Sequence, residues 1–95
     1  MKKLTMIKMQ GCPYCANAFR AIDELKQEHP EYAGIDVEVI DENEQPELAA
    51  PYGKDYYYVP SIFVAGKKCY EAQPGQTYEE IKKNVAHAFT EAVEP

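Results

Sequence analysis

The chain has 95 residues, 45% of them apolar, and a formal net charge of −6. This length predicts one domain, residues 1–95, with a single hydrophobic core. The 16 acidic residues outnumber the 10 basic ones, which argues against binding to nucleic acid or to an anionic membrane surface. Three cysteines are an odd count that does not fit a framework of structural disulfides. We therefore expect a cytoplasmic protein, and no segment reaches membrane-spanning length.

The first half of the chain predicts a strand, a helix and a second strand. Residues 3–9 form an apolar run that Lys8 interrupts, which favours a strand over a targeting signal. Pro13 suits the first position of a helix, and His29-Pro30 ends it. Residues 35–39 alternate apolar and acidic side chains, the pattern of a strand. The apolar face of the helix is predicted to contain Cys15, Ala18, Phe19, Ile22 and Leu25.

The second half predicts a short helix, a β-hairpin and a long helix. The short helix begins near Pro46, and residues 61–64 and 68–71 form the two strands of the hairpin. Thr77 and Glu80 have the spacing of a capping box. The complete order β-α-β-α-β-β-α predicts an α/β fold, a four-stranded mixed sheet flanked by three helices. The buried face of the last helix is predicted to contain Ile81, Val85, Ala88, Phe89 and Ala92.

The most informative segment is Cys12-Pro13-Tyr14-Cys15, between the first strand and the first helix. Two thiols at positions i and i+3 of a first helical turn share a face and can approach bonding distance. The unpaired N–H groups and the dipole of a helix N-terminus favour a thiolate. The pKa of Cys12 is therefore expected in the range of roughly 3.5 to 7.5 that such sites span. Cys12 is predicted to attack a disulfide, and Cys15, on the apolar face, to resolve the mixed disulfide.

Metal binding is the main alternative for two closely spaced cysteines. A structural zinc site needs four ligands, usually as two pairs, and Cys69, His29 and His87 are each isolated in the sequence. We therefore expect no metal site. Cys69 is interpreted as a partly buried strand residue, with a regulatory or glutathionylated thiol as the alternative. Residues 56–58, three tyrosines, are interpreted mainly as packing residues, with an aromatic rim for docking as the alternative.

Pro60 precedes the third predicted strand and has two interpretations. The ordinary one is a strand edge or a turn. The other is a cis-proline beside the thiols, with the backbone of Val59 exposed for strand-like pairing with a substrate. Because only about 5–6% of X–Pro bonds in folded proteins are cis, composition alone does not favour the second.

Taken together, these segments resemble the glutaredoxin family. Cys12-Pro13-Tyr14-Cys15 is similar to its active-site motif, and Val59-Pro60 with residues 61–64 and Gly66 is similar to its Val-Pro and strand segment. The resemblance covers nearly the whole chain and implies a thioredoxin-like fold in which a cis Pro60 stands against Cys12. It also implies a nucleophilic Cys12, a resolving Cys15 and a substrate site that contains Pro13, Tyr14, Val59 and Pro60. The chain has no tryptophan and no Trp-Cys-Gly-Pro-Cys segment, unlike an ordinary thioredoxin.

The chain departs from the family where glutathione binds. The family usually has Gly-Gly after the hairpin and an Asp three residues later, but Tyr70, Glu71 and Pro74 occupy these positions. Tyr70 adds bulk and Glu71 adds negative charge, so both predict weaker glutathione binding. Met9 and Gln10 occupy the usual positions of the family's basic residue, and Lys8 lies one position further back.

These features predict an enzyme, a dithiol reductase of glutaredoxin type. Its substrates would be disulfide-containing proteins or small disulfides, and its reductant either glutathione or a thioredoxin-reductase-like flavoprotein. We expect a monomer without a tightly bound cofactor. The alternative function is an iron–sulfur-cluster or partner-binding module of the glutaredoxin type without reductase turnover.

Overall fold

A computed structural model describes residues 1–94 of the chain. It contains four strands and three helices in the order predicted from the sequence. Short 3-10 turns follow the first and second helices. The elements are β1 (Leu4–Lys8), α1 (Pro13–Glu28), β2 (Val37–Asp41), α2 (Pro46–Ala49), β3 (Ser61–Val64), β4 (Lys67–Glu71) and α3 (Tyr78–Val93).

The strands form one mixed sheet in the order β2-β1-β3-β4. β1 and β2 are parallel, because α1 crosses over between them, whereas the other two pairs are antiparallel. The β1–β2 register sets Lys8 opposite Asp41. In the β3–β4 pair an irregularity lies between Ile62 and Phe63. The predicted four-stranded mixed sheet with three helices is confirmed, and the fold is thioredoxin-like.

Alternation along the strands divides the core between the two faces of the sheet. Leu4 and Met6 of β1 contribute to the larger cluster, which also contains the buried faces of α1 and α3. Ile7 and Phe63 contribute to the smaller cluster with Ala49 of α2. The predicted buried face of α3 is confirmed, and so is the capping box, in which Thr77 and Glu80 bond reciprocally.

Two details differ from the predicted pattern. Phe19 is 36% exposed, and the small Ala21 is buried in its place where α1 packs close to α3. β2 lies later than expected, so that Ile40 is buried while Val39 is 37% exposed. β2 is an edge strand, and its cover is the short α2, which packs on the face that Ile40 occupies. Within residues 1–94, no helix combines the length and apolar character needed to cross a bilayer.

Candidate active site

The chain between β1 and α1 delivers Cys12 to the helix start. Gly11 has φ +77°, a conformation in the left-handed region that glycine adopts at least cost. Cys12 is the N-cap of α1, and its Sγ accepts a hydrogen bond from the backbone N–H of Cys15 at 3.3 Å. Pro13 follows at the first helical position and is exposed. Cys12 itself is half-buried, so its sulfur combines access with a backbone donor that favours an anion.

The second sulfur has a different environment. Cys15 is only 2% exposed and lies among the core residues of α1. Burial, and next a side-chain hydrogen bond with the Cys12 thiol, raise the pKa of Cys15 to about 12. The backbone of Met9 and the charge of Lys8 act in the opposite direction with smaller effect. The structure thus brings the two cysteines together and keeps the deeper one protonated near neutral pH.

The Val59-Pro60 segment meets the cysteine pair. The Val59–Pro60 peptide bond is cis. Cys12 Sγ donates to the Val59 carbonyl oxygen at 3.6 Å, across 47 residues of sequence. The Val59 N–H has no hydrogen-bond partner among the described residues. The Pro60 carbonyl accepts a hydrogen bond from the Ala72 N–H at 3.0 Å, and the Pro60 ring is fully buried. Val59 therefore presents its backbone to Cys12, while Pro60 is enclosed by protein.

Tyr14 links the active-site helix to the loop after β4. Its side chain packs against the larger core cluster, and its hydroxyl accepts a hydrogen bond from the Gly75 N–H at 2.7 Å. Gly75 has φ +89°. The sequence placed Tyr14 at the site, but it gave no sign of this partner.

An ion pair that was not predicted from the sequence lies at the end of β1. Lys8 Nζ is 3.2 Å from Asp41 Oδ2, and both side chains are largely buried. The backbone N–H groups of Asn43 and Glu44 donate to Asp41 Oδ1. These two bonds, more than Lys8, lower the pKa of Asp41 against the effect of burial. The sequence contained a signal for this pair, because Lys8 and Asp41 end two adjacent parallel strands, and such strands end at the same edge of a sheet.

Tyr70 and Glu71, the departures from the family pattern, point to different places. Tyr70 is buried in the larger cluster, so its ring fills the core. Burial raises the pKa of Tyr70 to about 12, and its hydroxyl donates to Gln76 Oε1 at 2.6 Å. Glu71 instead reaches the segment before Val59, where its Oε2 accepts from the backbone N–H groups of Tyr57 and Tyr58, both at 2.8 Å.

Lys68 completes the Glu71 contacts, with Nζ 2.8 Å from Glu71 Oε1. Burial by itself would raise the pKa of Glu71, but Lys68 and the N–H groups of Tyr58 and Tyr57 outweigh burial and lower it. Glu71 is therefore an ionised carboxylate beside the active-site segment. The charge of Glu71 in this region was predicted from the sequence, but its backbone partners were not.

The three tyrosines before Val59 have separate roles. Tyr56 packs edge-on against Phe63 and donates to Glu42 Oε1 at 2.7 Å, so it is a packing residue. Tyr57 is 82% exposed and stands edge-to-face with Tyr58, with ring centroids 4.9 Å apart. Tyr58 is 40% exposed, so the packing interpretation is confirmed for Tyr56, while Tyr57 and Tyr58 lie outside the core.

Cys69 lies outside the cysteine pair, in a cleft of about 380 Å³ between β4 and α3 that His87 and Glu91 also line. Burial, and then the charge of Glu91, raise the pKa of Cys69, which disfavours the reactive thiolate. It is a partly buried strand residue, as the ordinary interpretation predicted. Within residues 1–94, no three His, Cys, Asp or Glu side chains gather as a possible metal-ligand set.

A thioredoxin-like sheet, a cysteine pair at a helix N-terminus and a Val-Pro segment facing it define a small thiol-redox protein. Residues 3–69 match the model of the Glutaredoxin family, and the chain belongs to that family. It is also 35% identical, over 74 residues, to a protein of Methanothermobacter marburgensis named "Probable Thioredoxin". The matched region covers 78% of this chain and 82% of that protein. The resemblance drawn from the sequence is confirmed.

Proposed function

We propose that this glutaredoxin-family protein is a dithiol oxidoreductase that reduces disulfide bonds in proteins or small molecules. The contrast between the two sulfurs is the observation that carries the proposal. Cys12 is accessible and accepts a backbone N–H, whereas burial raises the pKa of Cys15 to about 12. The Cys12 sulfur is suited to attack a substrate disulfide, and the Cys15 sulfur is suited to remain a thiol until the mixed disulfide has formed.

In the first step, the Cys12 thiolate attacks one sulfur of the substrate disulfide. A bond forms between Cys12 Sγ and that sulfur, the substrate S–S bond breaks, and the leaving thiolate takes a proton from solvent. The N–H of Cys15 stabilises the attacking anion beforehand. The product is a mixed disulfide on Cys12.

In the second step, Cys15 attacks Cys12 Sγ. The mixed disulfide breaks, a Cys12–Cys15 disulfide forms, and the proton lost by Cys15 matches the one gained by the departing substrate thiolate. The substrate disulfide gains two electrons and the cysteine pair loses two. Because Lys8 lowers the pKa of Cys15, its charge favours the deprotonation that this step requires.

We propose that Val59 binds the substrate backbone. Its N–H has no partner among residues 1–94, and its carbonyl loses the Cys12 donor when that thiol ionises. A donor and an acceptor on one residue suit strand-like pairing with an extended peptide. The exposed Pro13 and the half-buried Tyr14 directly follow Cys12 in the chain, and we include them, with the Pro60 beside Val59, in the proposed substrate site.

The oxidised pair needs two electrons for each turnover. We propose that glutathione or a thioredoxin-reductase-like flavoprotein supplies them to a monomer, in a reducing compartment such as the cytoplasm. Separate assays with each reductant distinguish the two sources.

The test is reduction of a protein disulfide by the wild type, Cys12→Ser and Cys15→Ser, with dithiothreitol as the first reductant. We expect Cys12→Ser to give no rate above that of dithiothreitol alone. Cys15→Ser, mixed with the substrate after dithiothreitol has been removed, should accumulate a mixed disulfide that mass spectrometry detects. Cys69→Ser is the matched control and should retain wild-type rates, since its thiol lies in a separate cleft. Undiminished activity of Cys12→Ser would contradict the proposal.

A further inference from the structure

Two successive backbone N–H groups converge on one oxygen of Glu71. The distances from Tyr57 N and Tyr58 N to Glu71 Oε2 are both 2.8 Å. Successive N–H groups aimed at one point form a concavity that binds anions. Here the anion is the Glu71 carboxylate of the same chain, and Lys68 Nζ lies 2.8 Å from its second oxygen, Oε1.

This N–H pair lies directly before the residue that faces the active sulfur. The carbonyl of Val59 receives the Cys12 thiol at 3.6 Å. Ser61 Oγ also donates to the Tyr58 carbonyl at 2.6 Å. Side chains of β3 and β4 therefore hold residues 57 and 58. Because Tyr58 directly precedes Val59, whose carbonyl contacts Cys12, we expect a group that flanks a disulfide on Cys12 to lie near this N–H pair.

We propose that Glu71 determines substrate specificity by occupying this anion site. The inference rests on the oxidoreductase function proposed above. Disulfides with a carboxylate close to the sulfur are disfavoured, because the two N–H groups are already bonded and Glu71 repels a second negative charge. Disulfides in uncharged, extended peptide segments are favoured, since they need only the N–H and carbonyl of Val59.

The contacts of Glu71 fit this role more closely than a general surface charge would. Its side chain is 15% exposed, and both carboxylate oxygens are engaged, one by backbone and one by Lys68. The same contacts hold the pKa of Glu71 below its ordinary value. The site therefore remains filled and charged through the pH range in which thiol exchange proceeds.

The first experiment compares two small disulfides of similar size, neutral hydroxyethyl disulfide and anionic dithiodipropionate. The measured quantity is the ratio of kcat/KM for the neutral to the anionic disulfide. We expect Glu71→Ala to lower this ratio by about three- to tenfold, the range that a charge-assisted hydrogen bond at a partly exposed site supports. Glu71→Gln keeps an acceptor but loses the charge, and its ratio should lie between those of wild type and Glu71→Ala.

Two control variants separate occupation of the N–H pair from net charge. Glu79→Gln removes the same charge from an exposed side chain that has no polar partner within residues 1–94, and it should leave the ratio unchanged. Lys68→Ala combined with Glu71→Ala opens the N–H pair without freeing a lysine. The ratio should still fall in this double variant. A wild-type ratio in the double variant would overturn the inference. If Glu71→Ala does not fold, a wild-type ratio in Glu71→Gln would overturn it instead.

A binding measurement keeps this inference separate from the oxidoreductase proposal. Acetate is titrated into the wild type and Glu71→Ala while the backbone amide resonances of Tyr57 and Tyr58 are followed by NMR. We expect both amides to shift only in the variant. Inactivity of the wild type toward every disulfide would refute the proposed function and with it the specificity, whereas equal acetate responses in the two proteins would overturn the role of Glu71 alone.

Discussion

The Tyr14 hydroxyl accepts a hydrogen bond from the backbone N–H of Gly75 at 2.7 Å, across 61 residues of sequence. The residue between the two cysteines is thereby tied to the loop that leads into α3. A side chain of the active-site motif thus also has a structural partner, and its hydroxyl fixes the position of that loop relative to Cys12.

Tyr14→Phe should destabilise the fold by about 0.5–1.5 kcal/mol, the usual net value of one hydrogen bond. The ring packing remains, so only the contact with the Gly75 N–H is lost. Urea denaturation measures the change. Tyr57→Phe is the matched control, because the hydroxyl of Tyr57 has no partner among the described residues. Equal stabilities of the two variants would refute the structural role of Tyr14.

The Cys15 thiol should resist alkylation until the solution is strongly alkaline. Burial and a side-chain hydrogen bond with the Cys12 thiol raise its pKa from the ordinary 9.0 to about 12, so the neutral form is the one that folding favours. This contribution to stability is complete below the unfolded pKa and is lost as pH rises toward the folded pKa.

The measurement of Cys15 reactivity uses the Cys12→Ser, Cys69→Ser double variant, in which Cys15 is the single remaining thiol. Its iodoacetamide rate near neutral pH should be at least about tenfold below that of a model thiol, since each pKa unit changes the thiolate fraction tenfold. Urea-unfolded protein provides the reference. A native rate equal to the unfolded rate would show that burial does not protect this sulfur.

Asp41→Asn should make the protein less sensitive to acid. The N–H groups of Asn43 and Glu44, with Lys8, lower the pKa of Asp41 below its ordinary 3.8. The carboxylate therefore contributes stability above that value and loses it as pH falls through the folded pKa. Denaturation at neutral and at acidic pH should reveal a smaller difference for the variant than for the wild type.

The control for Asp41 is Asp55→Asn, an exposed carboxylate without a polar partner within residues 1–94. It should retain the wild-type dependence on pH. If Asp55→Asn reduced the loss of stability at acidic pH as much as Asp41→Asn does, the contacts of Asp41 would not be the cause of that loss.

Gly11→Ala should destabilise the loop that delivers Cys12. Nothing lies within 4 Å of an added Cβ, so the cost comes from φ +77° alone. A left-handed conformation costs an L-residue about 1–2 kcal/mol. Gly53→Ala is the matched substitution at φ −60°, where reduced freedom of the unfolded chain should make it neutral or stabilising by up to about 1 kcal/mol. Thermal unfolding of both variants tests the contrast.

The order of the elements and the cysteine pair could be predicted because their signals are local. Helical spacing, proline positions and the Thr77–Glu80 spacing each act within one or two turns. Phe19 was wrongly predicted to lie on the buried face of α1. The width of that face depends on how closely α3 approaches, which periodicity does not encode.

The contacts that shape the site were less accessible from the sequence. Glu71 reaches the backbone of Tyr57 and Tyr58 across 14 and 13 residues of sequence, a contact that spacing alone does not specify. The bond from Gly75 to Tyr14 joins two loops through a hydroxyl, and many such pairings fit the same sequence. Lys8 and Asp41 differ, since parallel register would have matched them once β2 was bounded correctly.

The different depths of the two sulfurs also bear on peroxide damage. An oxidant that reaches the half-buried Cys12 would convert it to a sulfenic acid, while the buried Cys15 is kept from direct attack. The neighbouring thiol can then condense with the sulfenic acid, releasing water and forming a disulfide before further oxygen is added. Because the Cys12–Cys15 disulfide can be reduced again, the buried Cys15 would protect Cys12 from irreversible oxidation.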